Sequence, residues 1–185
     1  MKNQRTNPFN PLRLTPGDTK RSVDWYRDQI KTLSNNVTNP SLLLKNATIL
    51  TRHVRPGNMY LFAYDAKYKD VLPYWDMFPL VLPFNIVEDG FYGINLHYLN
   101  YIQRLRLLEA LHKHATGRAT TESTRLNINW EILSSYSRMA PVQDSVKRYL
   151  FSHLKSRLLK INYPDWVTAS QLPVERFVYR GHPQF

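Results

Sequence analysis

Residues 78–99, "FPLVLPFNIVEDGFYGINLHYL", form the stretch that decides the fold. Two apolar runs flank the turn sequence "EDG", and this arrangement predicts a β-hairpin. Pro79 and Pro83 cannot donate hydrogen bonds to a neighbouring strand, so the first run is predicted to be an edge strand or a kinked strand. Gly93 in the second run predicts a bulge or a close approach of neighbouring atoms.

A third strand is predicted just upstream, where "RPGNMYLFAYDAKY" begins with a Pro-Gly turn. Alternation with a period of two assigns its side chains to opposite faces of a sheet. One face carries Met59, Leu61 and Ala63, and the other carries Tyr60, Phe62 and Tyr64. Three short strands with tight turns predict a small, curved antiparallel sheet or partial barrel.

Helical periodicity dominates the second half of the chain. Residues 101–115 form one apolar stripe at helical spacing, and a shorter helix is predicted around 130–136. The strongest helical pattern covers 140–161, where Pro141 suits the first turn. Residues 42–50, "LLLKNATIL", fit either a helix or a strand, and residues 162–185 suggest a strand or strap followed by a tail.

The first residues differ from the rest. Three prolines in residues 1–17 predict an extended arm, and a stripe over residues 18–33 predicts a helix. The resulting organisation is an N-terminal arm and helix over residues 1–54, a core domain over residues 55–178, and a tail over residues 179–185. The predicted fold class is α+β, with the curved sheet packed against C-terminal helices.

Charge is distributed unevenly along the 185 residues, which carry a net charge of +11. Residues 1–60 hold 10 basic and 3 acidic residues, and residues 101–160 hold 11 and 4. Residues 61–100 are acidic, with 2 basic and 5 acidic residues. Such a surface favours DNA, RNA or an acidic protein partner, and charge alone supports binding that does not depend on base sequence. Solvated charge that serves only solubility is the alternative.

Several chemistries lack the residues they need. The chain has no cysteine, which excludes disulfides, thiolate metal sites and cysteine nucleophiles. No apolar stretch is long enough to span a bilayer, and the N-terminus lacks the apolar core of a signal peptide, so we expect a soluble protein without a membrane partner. His112 and His114 point to different sides of their predicted helix. We expect no metal, no other cofactor and no small-molecule substrate.

A nuclease site is the enzymatic hypothesis that a basic chain most invites. Asp65 and Lys67 end an apolar strand as an acid-x-lysine pair, but a metal-dependent nuclease needs a further carboxylate upstream to hold the ion. No acidic residue lies between Asp28 and Asp65, so this carboxylate is missing unless Asp28 or a later acid supplies it. The alternative interpretation of "DAKYKD" is a charged turn between strands. The chain also lacks a nucleophile elbow and a glycine-rich phosphate loop. We therefore predict that the protein is not an enzyme.

Basic side chains on the predicted helix over 140–161 offer better material for binding a polyanion. They are predicted to contact nucleic acid or an acidic partner, and an ordinary solvated helix face explains them equally well. These residues are Lys147, Arg148, Lys155, Arg157 and Lys160.

A family resemblance rests on "RPGNMYLFAYDAKYKDVLPYWDMFPLVLPF", "DGFYGINLHYL", "TRLNINWEIL", "VKRYLFSHLKSRLL" and "LPVERFV". Over Arg55 to Val178 the chain resembles small virion-associated proteins of contractile-tailed bacteriophages, including those of cyanobacteria. The resemblance implies a virion-associated or DNA-end-associated protein. The motif residues, which we predict to serve protein docking, are Lys67, Pro73, Tyr74, Trp75, Asp76, Phe78, Pro79, Gly93, Asn95, His97 and Tyr98. The aromatic residues among them fit a packed core equally well.

Two functional hypotheses follow. The first is a structural component of a tailed-phage virion at the neck, tail or baseplate, assembled in the host cytoplasm and docking to other virion proteins. The alternative is a protein that binds packaged DNA at its ends and shields them.

Overall fold

The computed structural model describes residues 39–47, 50–115 and 121–180. The predicted arm, the predicted helix over 18–33 and most of the predicted tail lie outside these ranges. Within them, no helix is both long and apolar enough to pass through a bilayer.

Four helices and eight strands make up the described fold. The helices are α1 (Pro40–Asn46), α2 (Tyr101–Ala115), α3 (Glu122–Tyr136) and α4 (Trp166–Gln171). The strands are β1 (Leu50–Thr51), β2 (Met59–Leu61), β3 (Tyr74–Asp76), β4 (Leu80–Val87), β5 (Gly90–Asn95), β6 (Val146–Leu150), β7 (Leu158–Ile161) and β8 (Phe177–Tyr179).

Six strands form one open antiparallel sheet in the order β1-β7-β2-β4-β5-β6, and β3 pairs with β8 in a second, two-stranded sheet. The mixed α+β class with an antiparallel sheet is therefore confirmed. The predicted hairpin is β4–β5, which lies between β2 and β6. The sheet extends beyond the three predicted strands because β6 and β7 join it from a distant part of the chain, and β1 pairs with β7.

Proline placement in β4 differs in part from the prediction. The strand is bonded on both sides, by β2 and by β5, so the edge position is wrong. The kink is confirmed, since the register with β5 shifts between Pro83 and Asn85. Pro83 is tolerated because β2 pairs only with Leu80 and Val81, which leaves Pro83 beyond that ladder.

The two faces of the sheet carry separate cores. Met59 and Leu61 belong to the larger cluster, which also holds apolar residues of all four helices. Tyr60, Phe62 and Tyr64 lie in a second, aromatic cluster with Phe91 and Tyr149. The alternation predicted for this strand is therefore confirmed.

Helix predictions have a mixed outcome. The helix over 101–115 is confirmed as α2, and the helix around 130–136 is confirmed as the C-terminal part of α3. The ambiguous stretch over 42–50 contains both alternatives, because α1 ends at Asn46 and β1 begins at Leu50. Residues 162–180 contain the predicted strand as β8, but also α4, which was missed.

The helix predicted over 140–161 is wrong. This segment forms a 3₁₀ turn, then β6, a second 3₁₀ turn over Phe151–His153, and β7. Its apolar residues fit both periods, and pairing with β5 places Tyr149 against Phe91 in the aromatic cluster. Long-range packing therefore overrides the local helical pattern.

Gly93 provides the predicted close approach. A Cβ atom at this position would overlap the Cγ1 atom of Val81, which is fully buried on neighbouring β4. The valine has no flexible end that can move aside, so only glycine fits this site in β5.

We expect Gly93→Ala to lower the free energy of unfolding by about 1–3 kcal/mol, because the added methyl group overpacks the sheet. Urea denaturation measures the change. A Gly93→Ala/Val81→Ala double variant should lose less stability than the sum of the two single variants, since removal of Cγ1 makes room. Strict additivity would contradict the assigned contact.

Candidate nucleic-acid interface

The two-stranded sheet lies against the aromatic face of the main sheet. In it, Trp75 of β3 pairs with Val178 of β8. Trp75 is buried in the aromatic cluster, and Val178 packs against the same cluster. The motif "LPYWDMF" is therefore a strand that attaches the C-terminal segment to the face opposite the helices.

Asp76 is the polar centre of this attachment. Its Oδ2 atom accepts a hydrogen bond from Asn95 Nδ2 at 3.1 Å and lies 2.7 Å from His97 Nδ1. Its Oδ1 atom accepts the backbone N–H groups of Phe78 at 3.1 Å and Arg176 at 3.4 Å. The side chains of Asp76 and His97 are each only 1% exposed. Because a buried carboxylate needs such partners, this network holds three strands in one arrangement.

A partly buried arginine extends the network behind His97. Arg104 of α2 donates hydrogen bonds to the carbonyl oxygens of Leu99, Ser170 and His97. Glu175 Oε2 lies 3.8 Å from both Arg104 Nη1 and His97 Nε2. The Asp76–His97 pair is enclosed, and within the described structure His97 Nε2 has no hydrogen-bond partner.

Beside this network lies a cleft with a volume of about 230 Å³, which we call the aromatic cleft. It is lined by Tyr64, Ala66, Lys67, Tyr68, Leu72, Tyr74, Trp75, Asp76, Asp89, Tyr98, Lys147, Arg148, Tyr149 and Leu150. Trp75, Tyr64 and Tyr149 are buried, whereas Tyr68 is 60% exposed and Tyr74 is 39% exposed.

Three cationic side chains line the aromatic cleft. Lys147 Nζ lies 4.3 Å from the centre of the Tyr98 ring, and Lys67 Nζ lies 5.3 Å from that of Tyr68. Arg148 donates from its single Nη2 atom to both carboxylate oxygens of Asp89, at 2.7 and 2.8 Å. Burial lowers the pKa of Lys147, against the opposing charge of Asp144. Cations over aromatic rings make this cleft suited to a ligand that is both flat and anionic.

A second depression, which we call the basic groove, has a volume of about 690 Å³. It is lined by Thr51, Arg52, His53, Val54, Phe151, Leu154, Lys155, Ser156, Arg157 and Leu158. Among these described residues there is no carboxylate, and the nearest acidic partner is Asp65, whose Oδ2 lies 3.8 Å from Lys155 Nζ. Its charge suits phosphate groups.

The structure separates the five basic residues that the sequence placed on one helix. Lys147 and Arg148 line the aromatic cleft, and Lys155 and Arg157 line the basic groove. Lys160 of β7 lies apart from both and contacts Glu122 Oε1 at 3.1 Å. The single helical face is therefore wrong, because the segment folds into two strands joined by a turn.

Sequence reasoning missed several members of these sites, among them Arg52, His53 and Tyr68. Arg52 and His53 of the groove follow β1, about a hundred residues before Lys155, and no local pattern connects the two segments. Tyr68 of the cleft lies in "KYKD", where an aromatic residue between lysines was the available signal.

The predicted motif residues divide into three groups. Lys67, Tyr74, Trp75, Asp76 and Tyr98 line the aromatic cleft. Asn95 and His97 lie buried and hold Asp76. The remaining positions are in or beside the strands, namely Pro73 and Phe78 next to β3, Pro79 before β4, and Gly93 within β5. Their role in protein docking stays a prediction.

The acid-x-lysine pair does not form a compact reactive group. Asp65 contacts Lys69 Nζ at 3.1 Å, while Lys67 lies over Tyr68 in the cleft. Within the described ranges, no three His, Asp or Glu side chains come together as metal ligands.

Comparison with known families decides the relationship. A family model described as the phage T4 terminal DNA protecting protein matches residues 15–184. This chain belongs to that family. The resemblance to phage proteins is thus confirmed. The match begins 40 residues before Arg55, where the first of the resembling motifs begins. No curated protein and no solved structure matches the chain.

We expect Asp76→Asn to destabilise the fold by about 3 kcal/mol, since an amide cannot accept all the hydrogen bonds that reach the carboxylate. Thermal and urea unfolding measure the effect. Asp70→Asn, an exposed change of the same chemistry, is the control and should be near neutral. Equal stability of the two variants would contradict the structural role of Asp76.

Proposed function

We propose that this protein binds the ends of linear phage DNA and shields them by covering them. The basic groove carries the DNA-binding part of the proposal, because its described lining holds Arg52, Lys155 and Arg157 without a carboxylate. The family's description as a terminal DNA protecting protein supports the same function. The net charge of +11 adds long-range attraction to a polyanion.

Phosphate contacts suit this task because every DNA end presents the same backbone. Lysine and arginine side chains neutralise phosphates without reading bases, and the released counterions make such binding strongly dependent on salt. A protein that protects ends of any sequence needs this kind of contact. The groove lies on the loops that follow β1 and β6, which the main sheet holds in place.

In this proposal the protein protects without catalysis. Covering a DNA end requires affinity and steric bulk, and neither requires a reacting group. The lysines around Asp65 also favour this view, since they occupy the carboxylate that a metal-dependent nuclease would use.

A second candidate function is docking to another virion protein. Residues 68–74 expose Tyr68, Val71, Leu72 and Tyr74 on one segment, and exposed apolar groups in a cluster favour a protein partner. A position at the neck, tail or baseplate and residence in the virion belong to this candidate. The two functions are compatible, since a protein on packaged DNA ends is also close to virion proteins.

The test compares linear duplex DNA with a covalently closed circle of the same sequence. We expect the wild-type protein to bind the linear form more tightly and to slow its digestion by an exonuclease. A Lys155→Gln/Arg157→Gln variant should bind the linear form more weakly. The slope of log K against log salt concentration should fall by about one unit per lost phosphate contact.

Arg106→Gln/Lys113→Gln on α2 is the matched control, because it removes the same charges from positions outside the groove. It should protect the linear DNA nearly as well as the wild type. Equal affinity of the wild-type protein for circular and linear DNA, without protection from digestion, would contradict end binding.

A further inference from the structure

We propose that the aromatic cleft holds one unpaired terminal nucleotide of the DNA end, with its phosphate against Lys67 and Lys147 and its base on Tyr68 and Tyr74. The proposal rests on the proposed function and makes it more specific. It assigns a ligand to the cleft and a reason for the protein to prefer ends over the interior of a duplex.

The exposed rings provide the surface for a base. Tyr68 and Tyr74 are 60% and 39% exposed, although both are large and partly apolar. The Tyr98 ring lies parallel to that of Tyr74 at 5.8 Å, and Phe177 packs edge-on against both. Tyr74 is therefore held in a fixed orientation, as a stacking surface for a base must be.

The unpaired cations provide the site for a phosphate. Among the described residues, neither Lys67 nor Lys147 forms an ion pair, and each ammonium lies over a tyrosine ring instead. Both carboxylates of the cleft are already engaged, Asp89 by Arg148 and Asp76 by the buried network. Within the described part of the chain, Lys147 is half-buried and feels Asp144 only as a neighbouring charge without an ion pair, so it is available to pair with an anion.

The size of the cleft suits a single nucleotide. Its volume of about 230 Å³ has room for one base with part of its sugar. A base within a duplex must be unstacked and unpaired first, and this costs least at an end or in a single strand. The cleft therefore accepts what a DNA end supplies most readily.

The cleft adjoins the basic groove along the chain. Leu150 lines the cleft and Phe151 lines the groove, so the end of β6 forms the boundary between them. A strand whose phosphates lie in the groove can thus place its last nucleotide in the cleft. Among possible occupants, this continuity favours a nucleotide over an aromatic peptide of a partner protein.

Direct binding is measured with a labelled single-stranded trinucleotide that carries a terminal phosphate. We expect Tyr68→Ala and Lys147→Gln each to weaken binding about tenfold, because each removes one stacking or charge contact. Tyr68→Phe keeps the ring and should bind like the wild type. Trp130→Ala, which removes an exposed ring on α3 outside the cleft, should have no effect.

The position of the phosphate supplies a further arm. The affinity should differ among trinucleotides with a 5′-phosphate, with a 3′-phosphate and with hydroxyl ends only. The phosphorylated form that binds more tightly identifies which strand end the cleft takes. Equal binding of all three, or full binding by Tyr68→Ala, overturns the proposal. The proposal is also overturned if a phage protein, and not the trinucleotide, binds in the cleft and is released by the Tyr68→Ala change.

Duplex digestion separates this proposal from the broader function. If the cleft variants lose trinucleotide binding but the wild-type protein fails to protect duplex ends, the cleft assignment is supported and the end-shielding function is contradicted. Protection of duplex ends that is unchanged in Tyr68→Ala and Lys147→Gln supports end shielding and overturns the cleft assignment.

Discussion

The buried carboxylate of Asp76 is the constraint on which the rest of the structure depends. It lies in β3, but its partners come from the end of β5, from the turn after β5 and from the residue just before β8. A carboxylate removed from water must be fully hydrogen-bonded, so these elements cannot shift independently. Tyr74 and Tyr98 are chain neighbours of Asp76 and His97, and the same network therefore fixes the rings of the aromatic cleft. Here the motif "YWD" and the motif "NLHY" act as one unit.

Local pattern was sufficient where each element buries one face against a near neighbour in the chain. The β4–β5 hairpin and the stripe of α2 were predicted for this reason, and the alternation of Met59 to Tyr64 was predicted because its two faces bury in different cores. It failed over 140–161, where apolar residues satisfy two periods and only pairing with β5 selects the strand. The position of β4 within the sheet could not be predicted either. Its pairing with β2 involves only two β4 residues, Leu80 and Val81, and two prolines made β4 look like an edge strand.

The candidate site shows the same division. Residue type was informative, because four of the five predicted basic residues line the cleft or the groove. The grouping of these basic residues into two surfaces could not be predicted, since it depends on the strands that carry them. Arg52 enters the groove only because β1 pairs with β7, and that pairing joins residues separated by more than a hundred positions. The carboxylates that neutralise Arg148 and Lys160 lie 59 and 38 positions away in the sequence, and they distinguish paired cations from available ones.

The two proposed surfaces have different tasks in recognising an end. A groove that contacts only phosphates binds the interior of a duplex as well as its terminus, because the backbone is the same in both. A cleft that admits one unpaired base adds the missing distinction, since bases inside a duplex are stacked and paired. Specificity for ends then arises from the state of the terminal nucleotide and not from its identity. The rigid frame around Asp76 matters for this reason, because a cleft that could widen to admit a base pair would lose the distinction.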